Sequence, residues 1–201
     1  MKRGLCHCVL ALVLVVGMIA TAATAGTRHQ HATSIHIYAP FNGDAVASGV
    51  RIARTVRGYC WTNSISDWRS DAYRCLVGNE IHDPCFANGI DPTGFVLCPL
   101  YLPTSKVLRI DLTKPLPAGH AGGDPTVHPP WALQLANGMW CEMLSGATGT
   151  IAGMRINYGC TDGHSTLIGN PRRGTPTWTI FAAKSDTASS YQPVAIRAAW
   201  W

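Results

Sequence analysis

Trp131-Ala132-Leu133-Gln134-Leu135-Ala136, then Asn137-Gly138, then Met139-Trp140-Cys141-Glu142-Met143-Leu144 is the stretch whose reading decides the fold. Two runs of alternating pattern flank an Asn-Gly pair. Asn and Gly both tolerate positive φ, which a two-residue type I′ turn demands, so the stretch reads as a β-hairpin. In that register Leu135 opposes Trp140, Leu133 opposes Glu142, and Cys141 falls opposite Gln134.

Working outward, the same period of two recurs. In Val107–Leu112, Leu108, Ile110 and Leu112 alternate with Arg109 and Asp111, the mark of a half-buried strand. Met154–Cys160 alternates with Cys160 on its apolar face, and Thr177–Ala182 and Pro193–Trp200 read as further strands. Val50–Ile65 is β-rich. Between them, residues 113–130 carry Pro115, Pro117, Pro125, Pro129 and Pro130 and the Gly122-Gly123 pair, so a loop is expected there. Ser66–Cys75 is read as a short helix, with Ser66 as N-cap, Asp67 in the first turn and Arg74 in the last. The expected fold is mainly β: an antiparallel sheet, sandwich-like or barrel-like, with loop-rich connections and at most one or two short helices.

Composition agrees. The chain has 201 residues, 47% hydrophobic and 13% charged, against about 25% charged in ordinary soluble domains. Global disorder needs the opposite balance. The 20 glycines and 13 prolines follow no repeat, which excludes a collagen-like chain.

The start of the chain reads as an export signal. Met1-Lys2-Arg3 is positive, Val9–Ala20 is uncharged, and Ala23-Thr24-Ala25 is an Ala-x-Ala cleavage site. From Leu5 to Ala20 the run falls short of the ~20 residues that cross a bilayer. Residues 1–25 are therefore expected to be a secretory signal peptide, 26–48 a flexible lead-in, and 49–201 one domain with a subdivision near 113–130. The mature chain would have no transmembrane segment. Removing Lys2 and Arg3 takes Lys+Arg from 16 to 14 against 11 acids, so the net charge falls from +5 to +3.

Export also settles the chemistry of cysteine. Cys6 and Cys8 leave with the signal, and six remain. An even number in an oxidising setting implies disulfides. Six cysteines allow 15 pairings. The sequential set, Cys60–Cys75, Cys85–Cys98 and Cys141–Cys160, closes the shortest loops. A zinc site lacks its Cys-x2-Cys pair. A faint echo links Gly58-Tyr59-Cys60 and Tyr73-Arg74-Cys75 with Gly138-Met139-Trp140-Cys141 and Tyr158-Gly159-Cys160; with twenty glycines in the chain, a chance match is the preferred reading over a duplication.

Gly58-Tyr-Cys-Trp61, then Tyr73-Arg-Cys75 followed by Gly78-Asn-Glu-Ile-His-Asp-Pro-Cys-Phe86, and the closing Ala199-Trp-Trp201 resemble an exported, cysteine-containing domain of actinobacteria. Such domains occur alone or outside membrane-anchored receptor kinases. The resemblance spans residues 55–201. It implies an extracellular sensing or binding role and carries no activity.

Enzyme signatures are sparse. Gly163-His164-Ser165-Thr166-Leu167 does not make the Gly-x-Ser-x-Gly nucleophile elbow. In Asn79-Glu80-Ile81-His82-Asp83-Pro84-Cys85, an extended chain puts Glu80 and His82 on one face, as a base and its orienter would be placed. The structural alternative pairs Glu80 with Arg69 or Arg74. Glu142 sits opposite apolar residues and would have a raised pKa if buried. A small hydrolase would use Glu80, His82 or Glu142. His29, His31 and His36 could form a square-planar copper site only if cleavage fell after Gly26; otherwise they belong to a solvated tail. No cofactor and no metal is expected.

Binding signatures are stronger. Arg51, Arg54 and Arg57 make a basic strip. Trp131, Trp140 and Trp178 belong to a core, whereas Trp200 and Trp201 point to opposite faces of a strand and could offer one ring to a ligand. The charge is too mild for nucleic acid. The expectation is a secreted, non-catalytic module that binds a cell-envelope polymer, a glycan or an extracellular protein.

Overall fold

The computed structural model describes residues 31–88, 94–102 and 105–201. The proposed signal segment and residues 26–30 lie outside them. From His31 onward the expected flexible lead-in is ordered by pairing. Strand β1 (Ser34–His36) runs parallel to the end of the chain, with Ser34 beside Ala198 and His36 beside Trp200. Strands β2 (Phe41–Asn42) and β3 (Ala45–Val46) form a small hairpin, and Tyr38 and Phe41 pack into the interior. The partner of this segment lies at the other end of the sequence, so local composition could not show it.

A five-stranded barrel follows: β4 (Arg51–Asn63), β5 (Ala72–Val77), β6 (Glu80–Phe86), β7 (Phe95–Pro99) and β8 (Lys106–Leu112). Each strand is antiparallel to the next. Five strands in up-and-down order bring first and last into the same direction, and β8 closes the ring parallel to β4. β4 serves two neighbours in turn: Arg51–Gly58 pairs with β8, and Tyr59–Asn63 pairs with β5. At the changeover Gly58 admits no side chain, because a Cβ there would lie 2.5 Å from Leu76 O and 2.9 Å from Ile110 Cγ2. Cys60, Cys75, Cys85, Val96, Cys98, Leu108 and Ile110 fill the interior.

The β4–β5 connection is where a helix was expected, and it is a bend and turn instead. Ser64 Oγ accepts from Ser66 N at 3.1 Å and Asp67 N at 2.8 Å, and Asp67 Oδ1 accepts from Arg69 N at 2.9 Å. Short polar side chains thus satisfy the amides that a helix would have paired, and the competition favours a turn.

Residues 113–131 cross to a second barrel through a 3-10 turn at Pro125–Val127. This barrel contains β9 (Ala132–Leu135), β10 (Trp140–Met143), the short β11 (Thr150–Ile151), β12 (Met154–Cys160), β13 (Thr166–Arg172), β14 (Thr179–Ala183) and β15 (Gln192–Trp200). The order β9-β10-β12-β13-β14-β15 is antiparallel throughout, and β15 returns antiparallel to β9. β11 pairs with the start of β12.

The hairpin at Asn137-Gly138 exists, in a different register. Trp140 pairs with Gln134, Cys141 with Leu133 and Glu142 with Ala132. Gly138 N donates to Leu135 O at 2.9 Å, Leu135 N donates to Met139 O at 2.8 Å, and Gly138 has φ +88°. This is a type I turn closed by a left-handed glycine bulge, which lengthens the loop by one residue. One residue exchanges the faces of a strand. Cys141 consequently joins Leu133 and Leu135 in the interior, directly opposite Cys160.

Three disulfides are formed: Cys60–Cys75, Cys85–Cys98 and Cys141–Cys160. The two cysteine pairs in the sequence echo each bridge directly opposed residues of neighbouring antiparallel strands, one pair per barrel.

The barrels meet at an apolar seam. Ala72, Phe86 and Leu102 from the first pack with Trp131 and Ala132 from the second, sealed by Tyr38, Phe41, Trp140 and Trp200.

Candidate functional site

The clearest polar constellation lies where the interior face of β4 runs out of the first barrel. The β4–β8 register shifts between Ile52 and Arg54. Past the shift, Arg54 stands beside Leu108, an interior residue; before it, Arg51 stands beside Lys106, which shares the Leu108 face. Neighbouring residues of paired strands point to one side, so this irregularity gathers Arg51, Arg54 and Lys106 on one face. All three are exposed. The first half of β4 pairs with β8 alone, which leaves its other edge open among the described residues. Arg57 takes the outer face, beside Asp111.

β6 brings Glu80 and His82 to the same place. Glu80 pairs with Val77 and His82 with Cys75, both interior positions. Glu80 Oε2 lies 3.6 Å from Arg54 Nη2 and 3.7 Å from His82 Nε2. Glu80 therefore pairs with Arg54, not with Arg69 or Arg74, which face Asp71 and Asp83 respectively. With side chains 53% and 68% exposed, the Arg54–Glu80 pair adds little stability. Burial holds the His82 imidazole pKa below its ordinary value, against the pull of Glu80, so the ring is neutral near neutrality. Its Nε2 is buried without a hydrogen-bond partner among the described residues.

The remaining sequence candidates lie elsewhere. Glu142 is on β10 of the second barrel, where Oε1 accepts from Leu102 N at 3.3 Å. Surrounding protein raises its pKa although the residue reaches solvent. Trp201 is fully buried, donates from Nε1 to His128 O at 3.0 Å, and meets Trp178 edge-on at 6.0 Å. Trp200 is half-buried between His36 at 4.8 Å and Trp140 at 4.6 Å. Trp201 is wholly committed to packing, whereas Trp200 keeps part of its surface exposed. His36 is occupied by the Trp200 stack, and His29 lies outside the described residues. Among the described residues no group of three metal-ligating side chains gathers.

A second cluster escaped the sequence reading. Ser64 Oγ donates to Asp83 Oδ1 at 2.5 Å, and Ile65 N donates to Asp83 Oδ2 at 3.3 Å. Asp67 lies alongside, also buried, with Oδ2 lacking a partner among the described residues. His120 Nε2 bonds Ser64 O at 2.9 Å, while Trp68 stacks on His120 at 5.1 Å and on His128 at 4.3 Å. The sequence reading gives Asp67 to the first turn of a helix, and its burial follows only from the turn that Ser64 organises.

Burial pushes the Asp67 pKa up to about 6, and that of Asp83 upward as well. A raised carboxyl pKa makes the folded state favour the proton. The associated stability is complete below pH 4 and lost as pH rises through about 6. The loss between pH 4 and pH 7 is about 3 kcal/mol for Asp67. Asp67→Asn, which keeps the acceptor for Arg69 N, is expected to flatten most of this dependence and raise stability at pH 7. Urea midpoints at the two pH values measure it.

No family model, curated protein or solved structure matches this chain.

Proposed function

We propose that this protein is an exported, non-catalytic binding module whose ligand is an anionic polymer of the cell envelope, seated at the basic mouth of the first barrel. The observation that carries the reading is the convergence of Arg51, Arg54 and Lys106 on one exposed face of a strand with an open edge. Seven residues of extended strand span roughly 20 Å, long enough to follow several repeats of a linear polyanion. Three disulfides suit an oxidising location, and no described helix is long and apolar enough to cross a membrane.

The same place has a catalytic reading, because Glu80 and His82 do approach each other. Glu80 is divided between Arg54 at 3.6 Å and His82 at 3.7 Å, an arrangement of balanced charge that suits binding.

Retention of the purified protein on cell-wall, glycan and anionic-lipid fractions tests the proposal. The wild type is expected on the anionic cell-wall fraction, with retention falling as salt screens the contact. Each cation at an anionic surface contributes about 1 kcal/mol. The triple variant Arg51→Ser, Arg54→Ser, Lys106→Ser should therefore bind on the order of a hundredfold more weakly. Equal retention of the triple variant and the wild type would sink the reading.

A further inference from the structure

The second barrel has a mouth of its own, and its chemistry differs. The β9–β10 turn, the β12–β13 turn and the β14–β15 connection surround a cavity of about 460 Å³. That lies within the roughly 300–1,000 Å³ typical of small-molecule sites. Its floor is the barrel interior itself: Leu135, Met139, Leu167, Ala182 and Val194 line the cavity and all belong to the interior cluster. Met139, Ala182 and Val194 are only partly buried, so the interior is left uncovered at this end. The large interior residues Tyr158, Ile180, Ile196 and Trp201 are fully buried and take no part in the wall.

Sequence explains the opening. β14 ends with Ala182 on the interior face, a small residue where a Leu or Phe would have filled the space. Tyr191, the largest wall residue, leans on the Phe181 ring at 4.7 Å and does not plug the mouth.

The wall carries one charged side chain, Lys184. It is exposed and makes no ion pair with any described residue. Ser190 and Gln192 stand in the same rim. An apolar floor beneath a single unpaired cation selects a ligand with one apolar end and one anionic end. We infer that this mouth binds a small amphipathic acid, its unbranched apolar tail against Leu135, Leu167 and Val194 and its carboxylate on the Lys184 ammonium. A neutral alcohol of equal length gains the floor but not the cation, and a quaternary ammonium meets like charge. The site is on the other barrel from the basic strip, and the inference stands independently of the polymer reading.

Calorimetric titration of the purified protein with decanoate, decanol and decyltrimethylammonium tests it. Decanoate is expected to bind saturably at one site, with decanol at least tenfold weaker and decyltrimethylammonium weaker still. Lys184→Gln, on the surface and harmless to folding, should bring decanoate down to the level of decanol. Ala182→Phe, which fills the cavity from its wall, should abolish both while leaving polymer retention unchanged. The inference is overturned by absence of saturable decanoate binding, by equal affinity for decanoate and decanol, or by an undiminished affinity in the Lys184 variant. The Lys184 variant decides the matter even if Ala182→Phe fails to fold.

Discussion

Reduction of the three disulfides is expected to unfold this protein at neutral pH without denaturant. Each bridge closes a short loop, with sequence separations of 15, 13 and 19 residues. In the chain-entropy account each such loop restricts the unfolded state by about 3 kcal/mol. Domains of this size are stable by only about 5–15 kcal/mol in total, so losing all three exhausts most or all of that margin. The bridges also sit inside the barrels: Cys75 and Cys85 are fully buried, and Cys60, Cys98 and Cys141 nearly so. Opening Cys141–Cys160 alone, by replacing both with Ala, should lower stability by about 3 kcal/mol, read from the urea midpoint. Loss of near-ultraviolet circular dichroism should accompany full reduction, with intact mass rising by a pair of hydrogens per bridge. A reduced chain that keeps its tertiary signal would show that the barrels do not need their staples.

The second large effect is expected at the seam. Trp131 is 2% exposed and stands between the barrels, edge-on to Tyr38 at 5.7 Å and tilted to Phe86 at 6.2 Å. Its backbone is fixed on both sides, N donating to Trp200 O at 3.0 Å and O accepting from Met143 N at 2.8 Å. The position cannot move to close a void, and Trp131→Ala should therefore cost about 3–5 kcal/mol. The indole Nε1 has no hydrogen-bond partner among the described residues. Trp131→Phe accordingly gives up ring area but no hydrogen bond, and should cost far less than Ala. Thermal unfolding of the two variants separates packing from polarity: similar losses for Phe and Ala would contradict the packing account.

How much of this was legible beforehand depends on how local each cause is. Alternation at Val107–Leu112 and Met154–Cys160 marked strands because half-burial writes itself into every second residue. The hairpin was equally plain, yet its register was not. Asn-Gly serves a two-residue turn and also ends a three-residue loop with its glycine in the bulge, and the second moved Cys141 to the interior face. The pairing of β1 was invisible because Ser34–His36 is held by residues 198–200, and nothing near it in sequence encodes that. The pair Trp200-Trp201 showed opposite faces correctly in principle, but which faces are covered is a property of the assembled seam. At the candidate site, Glu80 and His82 were readable from their spacing of two. The strip of Arg51, Arg54 and Arg57 reads as one group, but a spacing of three alternates faces of a regular strand: the irregularity between Ile52 and Arg54 reunites Arg51 with Arg54, whereas Arg57 goes to the outer face beside Asp111.

Glu80 offers the most direct test of the central claim. In the binding account it is a competitor, an anion that occupies Arg54 at 3.6 Å until the ligand displaces it. Titration of wild type and Glu80→Gln with a linear polyphosphate at low salt then has a defined sign: the variant should bind several-fold more tightly, and Arg54→Ser more weakly than either. A Glu80→Gln protein with unchanged or weaker affinity, or one that has lost a hydrolytic activity the wild type displays, would contradict the account.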